Sequence, residues 1–213
     1  MSLKPSFQEA LEETINILAS RWDSAGPLLA GFPLLAQGRP VSVEEIASAA
    51  GVEISQVEEA VDAARCERDA RGRLIDLYGL TLTPTRHQLE IGHKVLFSCC
   101  ALWAYVVPRL VDATVGVKSV DPLRQELVRL SISPAGLETA DPPAAAATLV
   151  ITSQEAVDRD VCAAWCCQVC YFVSLECAEE FAAERPTCYA VELSEFQQAA
   201  EFFHQAIWSA IEA

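Results

Sequence analysis

Two adjacent cysteine pairs, Cys99-Cys100 and Cys166-Cys167, lie in segments that are otherwise apolar. Leu96 and Phe97 precede the first pair, and Trp165, Tyr171 and Phe172 surround the second, so each pair belongs at the edge of a core. Neighbouring cysteines do not readily bond to each other, because a disulfide needs a separation and a dihedral angle that adjacent residues rarely reach. A fold that brings both segments together therefore gathers soft sulfur ligands in one pocket. That is chemistry for a thiophilic metal. Nine cysteines form an odd set, and Glu9, Glu12 and Glu13 stand where a signal peptide would be apolar. These features predict reduced thiols in the cytoplasm, without a disulfide framework.

The chain has 213 residues, about half of them apolar, which is enough for a sizeable core. Its formal net charge of −15 argues against a polyanionic partner. Arg65, Arg68, Arg71 and Arg73 do cluster, but Glu58, Glu59, Asp62, Glu67 and Asp69 interleave with them, so nucleic-acid binding is not expected. The longest apolar run, Val95 to Val111, contains Ser98, Pro108 and Arg109 and falls short of a membrane span.

Helical spacing of Phe7, Leu11, Ile15 and Leu18 predicts a first helix over Ser6 to Arg21. A helix-turn-helix pattern follows: Ser42 caps a helix ending near Ala50, Gly51 turns the chain, and Ser55 caps a second helix through Ala64. Arg71-Gly72-Arg73 reads as a hairpin turn, with two short strands between Leu74 and Ile91. Residues 1–92 thus read as a helical, winged-helix-like domain, here an acidic one that packs on the rest of the protein. Residues 93–213 read as an α+β domain carrying the cysteine site: a mixed, mostly antiparallel sheet with packed helices. Within it the pattern predicts a buried helix over Phe97 to Leu110, stopped or kinked near Pro108. Strands are expected over Thr114–Val120, Glu126–Ser133, Thr148–Thr152, Cys167–Ser174 and Cys188–Val191, with a loop from Ala140 through the alanine run. Helices are expected over Gln154–Ala164, Glu176–Glu184 and Ser194–Ile211.

Five motifs follow one another along the chain: Gly38-Arg39-Pro40-Val41-Ser42, Tyr78-Gly79-Leu80-Thr81-Leu82, Cys100-Ala101-Leu102 with Pro108 beyond it, Ser131-Ile132-Ser133-Pro134, and Cys166-Cys167 followed by Tyr171-Phe172. In these motifs and their order the sequence resembles bacterial organomercurial (alkylmercury) lyases over about residues 35 to 180. The resemblance implies the fold, and cleavage of a carbon–mercury bond by protonolysis. It also implies mercury binding by the thiols of Cys100 and Cys166. At the position of the family's proton-shuttling aspartate this chain carries Trp103, and Cys99 stands where relatives tend to carry an aromatic residue. An aromatic and a small polar side chain have in effect exchanged places around Cys100.

Indole releases no proton at usable pH, so a substitute acid is needed: a thiol from a set including Cys99, Cys167 and Cys170, or a carboxyl such as Asp112 or Asp121. The metal-binding candidates are Cys99, Cys100, Cys166, Cys167 and Cys170, the last two forming a Cys-x-x-Cys; Cys170 and Cys177 also read as small core residues. No cofactor is required. The ligand or substrate is a small organometal or a soft metal ion, namely mercury, with copper and zinc as other candidates. Three readings remain at this level: a lyase with a replaced acid, a catalytically silent thiolate protein that binds or senses metal, or a same-fold enzyme acting on another organometal or an organosulfur compound. His87, His93 and His204 lack ligand spacing, and Cys66 and Cys188 read as structural.

Overall fold

The computed structural model describes residues 5–22 and 25–212. The chain opens with helix α1 (Pro5–Ala19) and reaches α2 (Gly31–Leu35) through short 3-10 turns. The helix-turn-helix follows as α3 (Val43–Ala50) and α4 (Ile54–Ala64). Ser42 caps α3 with a reciprocal box: its hydroxyl accepts from Glu45 N–H at 3.3 Å, and the Glu45 carboxylate accepts from Ser42 N–H at 2.9 Å. Gly51 ends α3 at φ 70°, the left-handed conformation that glycine adopts without strain. The second helix starts earlier than Ser55, because the Gln56 side chain accepts from Glu53 N–H at 3.1 Å and makes Glu53 the cap. Val43, Ile46, Val57, Ala60 and Val61 are buried, so the apolar face of the pair packs inward.

The expected turn lies at residues 69–73, where the Asp69 carboxylate accepts from Arg71 N–H and Arg73 N–H. Strands β1 (Asp76–Leu77), β2 (Leu80–Thr81), β3 (His87–Ile91) and β4 (Lys94–Ser98) come next, three of them before Ile91 where the pattern suggested two. They join β5 (Val115–Val120), β6 (Leu127–Ser133) and β7 (Gly136–Asp141) in one antiparallel sheet, ordered β1-β2-β4-β3-β5-β6-β7. The position of the boundary expected after residue 92 falls in the turn between β3 and β4, which pair in one sheet from Ile91↔Lys94 to His87↔Ser98.

A second antiparallel sheet, β10-β8-β9, is built from β8 (Ala146–Val150), β9 (Tyr171–Phe172) and β10 (Cys188–Glu192). Helices α5 (Trp103–Val111), α6 (Gln154–Val161), α7 (Leu175–Ala183) and α8 (Leu193–Glu212) complete the chain. The architecture is thus α+β, with N-terminal helices followed by antiparallel sheets and packed helices. Val115, Val117, Val128, Leu130 and Ile132 supply the buried face of the large sheet against α5, and all five residues of β8 are buried. Tyr105, Tyr171 and Phe196 meet edge-on at centroid distances of 5.6 and 5.7 Å where α5, β9 and α8 converge.

Three local expectations are corrected. Phe97 and Ser98 end β4, because their backbones pair with β2 and β3; the helix begins only at Trp103 and carries Pro108 inside it. The segment after Ser133 turns at Gly136 and returns as β7, so the loop is shorter than the Ala-Asp-Pro-Pro composition suggested. In 167–174 only Tyr171 and Phe172 are strand; the residues before them complete a turn that follows α6.

His87 on β3 is wholly buried. Its Nδ1 shares a 2.9 Å hydrogen bond with the Ser119 hydroxyl, and its Nε2 meets no partner among the described residues. Burial pushes the imidazole down to about 4, so it is neutral in the folded protein at neutral pH. Unfolded, it binds a proton below about 6.5. The folded state therefore loses stability as pH falls from about 6.5 toward 4, by about 3 kcal/mol from this group. Urea unfolding at pH 7.5 and 4.5 should show a shallower acid loss in His87→Gln; equal losses would exclude this origin.

Candidate metal centre

Four residues, Cys99 to Leu102, link β4 to α5 and are pinned from both sides. Cys99 N–H donates to Gly79 O at 2.8 Å, and Ser98 Oγ donates to Cys100 O at 3.0 Å. Ala101 N–H donates to Val169 O at 3.0 Å, and the Tyr171 hydroxyl donates to Ala101 O at 2.8 Å. The first cysteine pair is thereby tied to the segment that carries the second.

That second segment has its own geometry. Asp160 breaks helical dihedrals at φ −163° and ψ 96°, and its carboxylate accepts from Ala163 N–H at 3.1 Å. Cys162–Cys166 then form a π-helical turn, in which Cys167 N–H donates to Cys162 O at 2.9 Å. The following loop is held to β8 by Thr148, whose hydroxyl donates to Gln168 O at 2.6 Å and accepts from Cys170 N–H at 3.1 Å. Single π turns concentrate at functional sites because they re-aim side chains. Here the turn aims Cys166 at the β4–α5 link.

The sulfurs of Cys99, Cys100 and Cys166 all lie within 4.8 Å of one another, with Cys99 Sγ donating to Cys166 Sγ at 3.4 Å. The trio shares its protons unevenly. Burial pushes the Cys100 thiol up, but hydrogen bonds from the Cys166 and Cys99 thiols and from the Trp103 backbone N–H outweigh it and hold Cys100 well below its ordinary value. Cys99 is held well above its ordinary value by its hydrogen bonds to Cys100 and Cys166, and Cys166 by its hydrogen bond to Cys100. Of the three sulfurs, Cys100 holds its proton least tightly, because its two neighbours and a backbone N–H donate to it.

Of the five cysteines considered as ligands, three converge and two do not. Cys167 is exposed and pairs with Cys162 at 3.0 Å. Cys170 is fully buried with Sγ turned to the Cys167 carbonyl at 3.6 Å, and burial pushes its thiol up to about 12. Cys177, also buried, accepts from the Ser174 hydroxyl at 3.3 Å near the start of α7.

A cavity of about 420 Å³ opens onto the centre, walled by Cys99, Cys166, Trp103, Phe203, Cys162 and Asp76 among others. Cys100, 1 % exposed, lies behind this wall. Trp103 stacks on Phe32 at 6.2 Å and meets Phe203 edge-on at 6.0 Å. Its indole therefore closes an aromatic part of the cavity wall.

Neither carboxylate considered from sequence reaches the cavity wall. Asp112 is exposed at the far end of α5, roughly 13 Å along the helix from Trp103. Asp121 is buried, with its oxygens committed to the N–H groups of Leu123, Arg124 and Val173. Sequence reasoning missed Asp76 and Cys162. Asp76 accepts from Glu67 N–H at 2.7 Å, and burial pushes its carboxyl up to about 6. No motif marks it, since the β1 register alone brings it there. Cys162 precedes the second pair by four residues, a spacing that ordinary helical periodicity would have placed on the face of Cys166.

Gly79 makes the close approach possible. At φ 103°, a Cβ there would sit 2.5 Å from Trp103 Nε1 and 2.8 Å from Cys99 Sγ. Gly79→Ala should cost more than about 1 kcal/mol and displace Cys99. Thermal unfolding and the rate of Cys99 alkylation check it; an unchanged Tm together with an unchanged rate would refute the packing.

Comparison with known proteins identifies the family and the fold. Residues 80–205 match the family model described as alkylmercury lyase, and residues 7–77 match the helix-turn-helix domain of alkylmercury lyase. The chain is 32% identical to an alkylmercury lyase of Staphylococcus epidermidis over 72% of its length and 69% of the relative's. It is 32% identical to one of Streptomyces lividans over 78% of its length and 75% of the relative's. A solved structure, described as the mercury-bound form of MerB2, superposes with a TM-score of 0.73 at 20% identity, covering 93% of this chain and 99% of that one, and so shares the fold. With both halves of the chain matched in order, and the cysteine centre built by the half that matches the lyase itself, this protein belongs to the alkylmercury lyase family.

Proposed function

We propose that this protein binds an organomercurial through Cys100 and Cys166 and cleaves its carbon–mercury bond, with the Cys99 thiol acting in place of the family's aspartate. The observation that carries this reading is the convergence of three sulfurs within 4.8 Å of one another, with the Cys99 thiol donating to Cys166 Sγ at 3.4 Å.

The steps balance within the chain. The Cys100 thiolate displaces the ligand that brought R–Hg⁺, giving R–Hg–S100. Mercury's bond to Cys100 removes the charge that held the neighbouring protons. Cys166 then binds mercury as a second sulfur, and its donation makes the bound carbon more basic. Cys99 passes its proton to that carbon and takes the proton that Cys166 sheds. R–H leaves, and mercury remains between the sulfurs of Cys100 and Cys166. Trp103 keeps water from the bond and positions Cys99 without donating a proton. Three thiols, with no fourth ligand grouped with them among the described residues, suit two- or three-coordinate mercury better than tetrahedral zinc.

Incubation with phenylmercury and excess monothiol should release benzene, measured in the headspace by gas chromatography. Cys99→Ser should slow release 10²- to 10⁴-fold, the range expected when a general acid is lost. Stoichiometric mercury retention without benzene would sink the lyase reading and leave a silent thiolate binder. Trp103→Asp alone removes a buried aromatic, at about 3–5 kcal/mol. The exchange Cys99→Trp with Trp103→Asp is the better rescue of a Cys99→Ser defect. It should restore turnover to at least the wild-type rate; no recovery in a folded variant would mean that the acid's position does not limit the reaction.

A further inference from the structure

We propose that Cys162, which lines the cavity, and the exposed Cys167 beside it form a second soft-metal site, which holds a mercuric ion between two thiolates and exchanges it with the buried trio. Binding stands on the geometry of this pair alone, whereas the exchange rests on the mercury reading above.

The two cysteines are five residues apart, and in an α-helix of 3.6 residues per turn they would point about 140° away from each other. The π turn removes that divergence. Cys162 opens it and Cys167 closes it, joined by the Cys167 N–H to Cys162 O bond at 2.9 Å, and their sulfurs come to 3.0 Å. Both side chains are exposed, and so is the intervening Ala163, which leaves the pair uncovered. No other role in the fold accounts for the contact: neither sulfur packs in the core, and the backbone of the turn is held by Asp160 and Thr148.

A linear two-coordinate ion needs its sulfurs about 4.6 Å apart, twice an ordinary metal–sulfur length of ~2.3 Å. Opening the pair by about 1.6 Å takes only a χ1 adjustment of exposed side chains. Binding is balanced as Hg²⁺ plus two thiols giving a neutral bis-thiolate and two protons released to solvent. An organomercury cation has only one vacant position, so the pair suits the inorganic product. Cys162 and Cys166 share the π turn and wall the same cavity. An ion can therefore pass by single exchanges: a bond to Cys166 breaks as one to Cys162 forms, the proton moving the other way, and Cys167 then replaces Cys100 likewise. The buried trio alone offers its product no graded exit.

The test uses the full chain and mercuric chloride, with mercury retained after gel filtration in about 0.1 mM glutathione, below the mM effective concentration of a paired thiolate. Wild type should retain two ions per chain, and Cys162→Ser/Cys167→Ser one. Cys99→Ser/Cys100→Ser/Cys166→Ser should also retain one, lost when Cys162→Ser/Cys167→Ser is added. Because Cys162 and Cys167 are exposed, circular dichroism should confirm that serine leaves the fold intact. Equal retention by wild type and Cys162→Ser/Cys167→Ser would overturn the second site. Benzene release reads the lyase proposal separately, so either can fail without the other.

Discussion

The contact on which this structure turns is the short link between β4 and α5. Its backbone is held by Gly79 on one side and by Val169 and the Tyr171 hydroxyl on the other. These bonds join the large sheet to the segment leading into the small one, so the two sheets cannot shift without moving Cys99 and Cys100 relative to Cys166. A site split between residues 67 positions apart needs such a tie. Otherwise the sulfur separation would follow every fluctuation between the layers.

The tie also governs the electrostatics. A lone buried thiolate is costly, and burial alone would keep all three sulfurs protonated. Two thiol donors and one backbone N–H converging on Cys100 reverse the balance for that sulfur only. Its neighbours hold their protons more tightly, because a second negative charge would stand within 4.8 Å of the first. A soft cation finds one ready ligand and two that deprotonate as they bind. The neutral, buried His87 adds no fixed positive charge beside Cys100.

Much of the frame was legible from local signals. Ser42, Glu45 and Gly51 mark the ends of α3 with caps whose chemistry works in any context. The alternation in β5 and β6 reports one buried face, and the family resemblance fixed the order of the halves. Failures occurred where tertiary pairing overrode local pattern. Phe97 and Ser98 look helical beside an apolar run, yet β2 and β3 claim their backbones. Cys167 to Cys170 look like strand, yet they form the loop that follows the π turn and is held by Thr148. The same turn separates Cys167 from Cys166, a division that no strand alternation or helical period conveys.

Residue types and order alone determined that the chain would bury two cysteine-bearing apolar segments, pack acidic helices against a sheet, and lack a carboxylate three residues beyond Cys100. Those are properties of covalent order and short-range periodicity. Which sulfurs meet was decided only by the tertiary structure, along with which thiol gives up its proton most readily and which side chains wall the cavity. Distances between remote segments depend on how sheets register and helices pack. A few hydrogen bonds at Gly79, Val169 and Thr148 set them here.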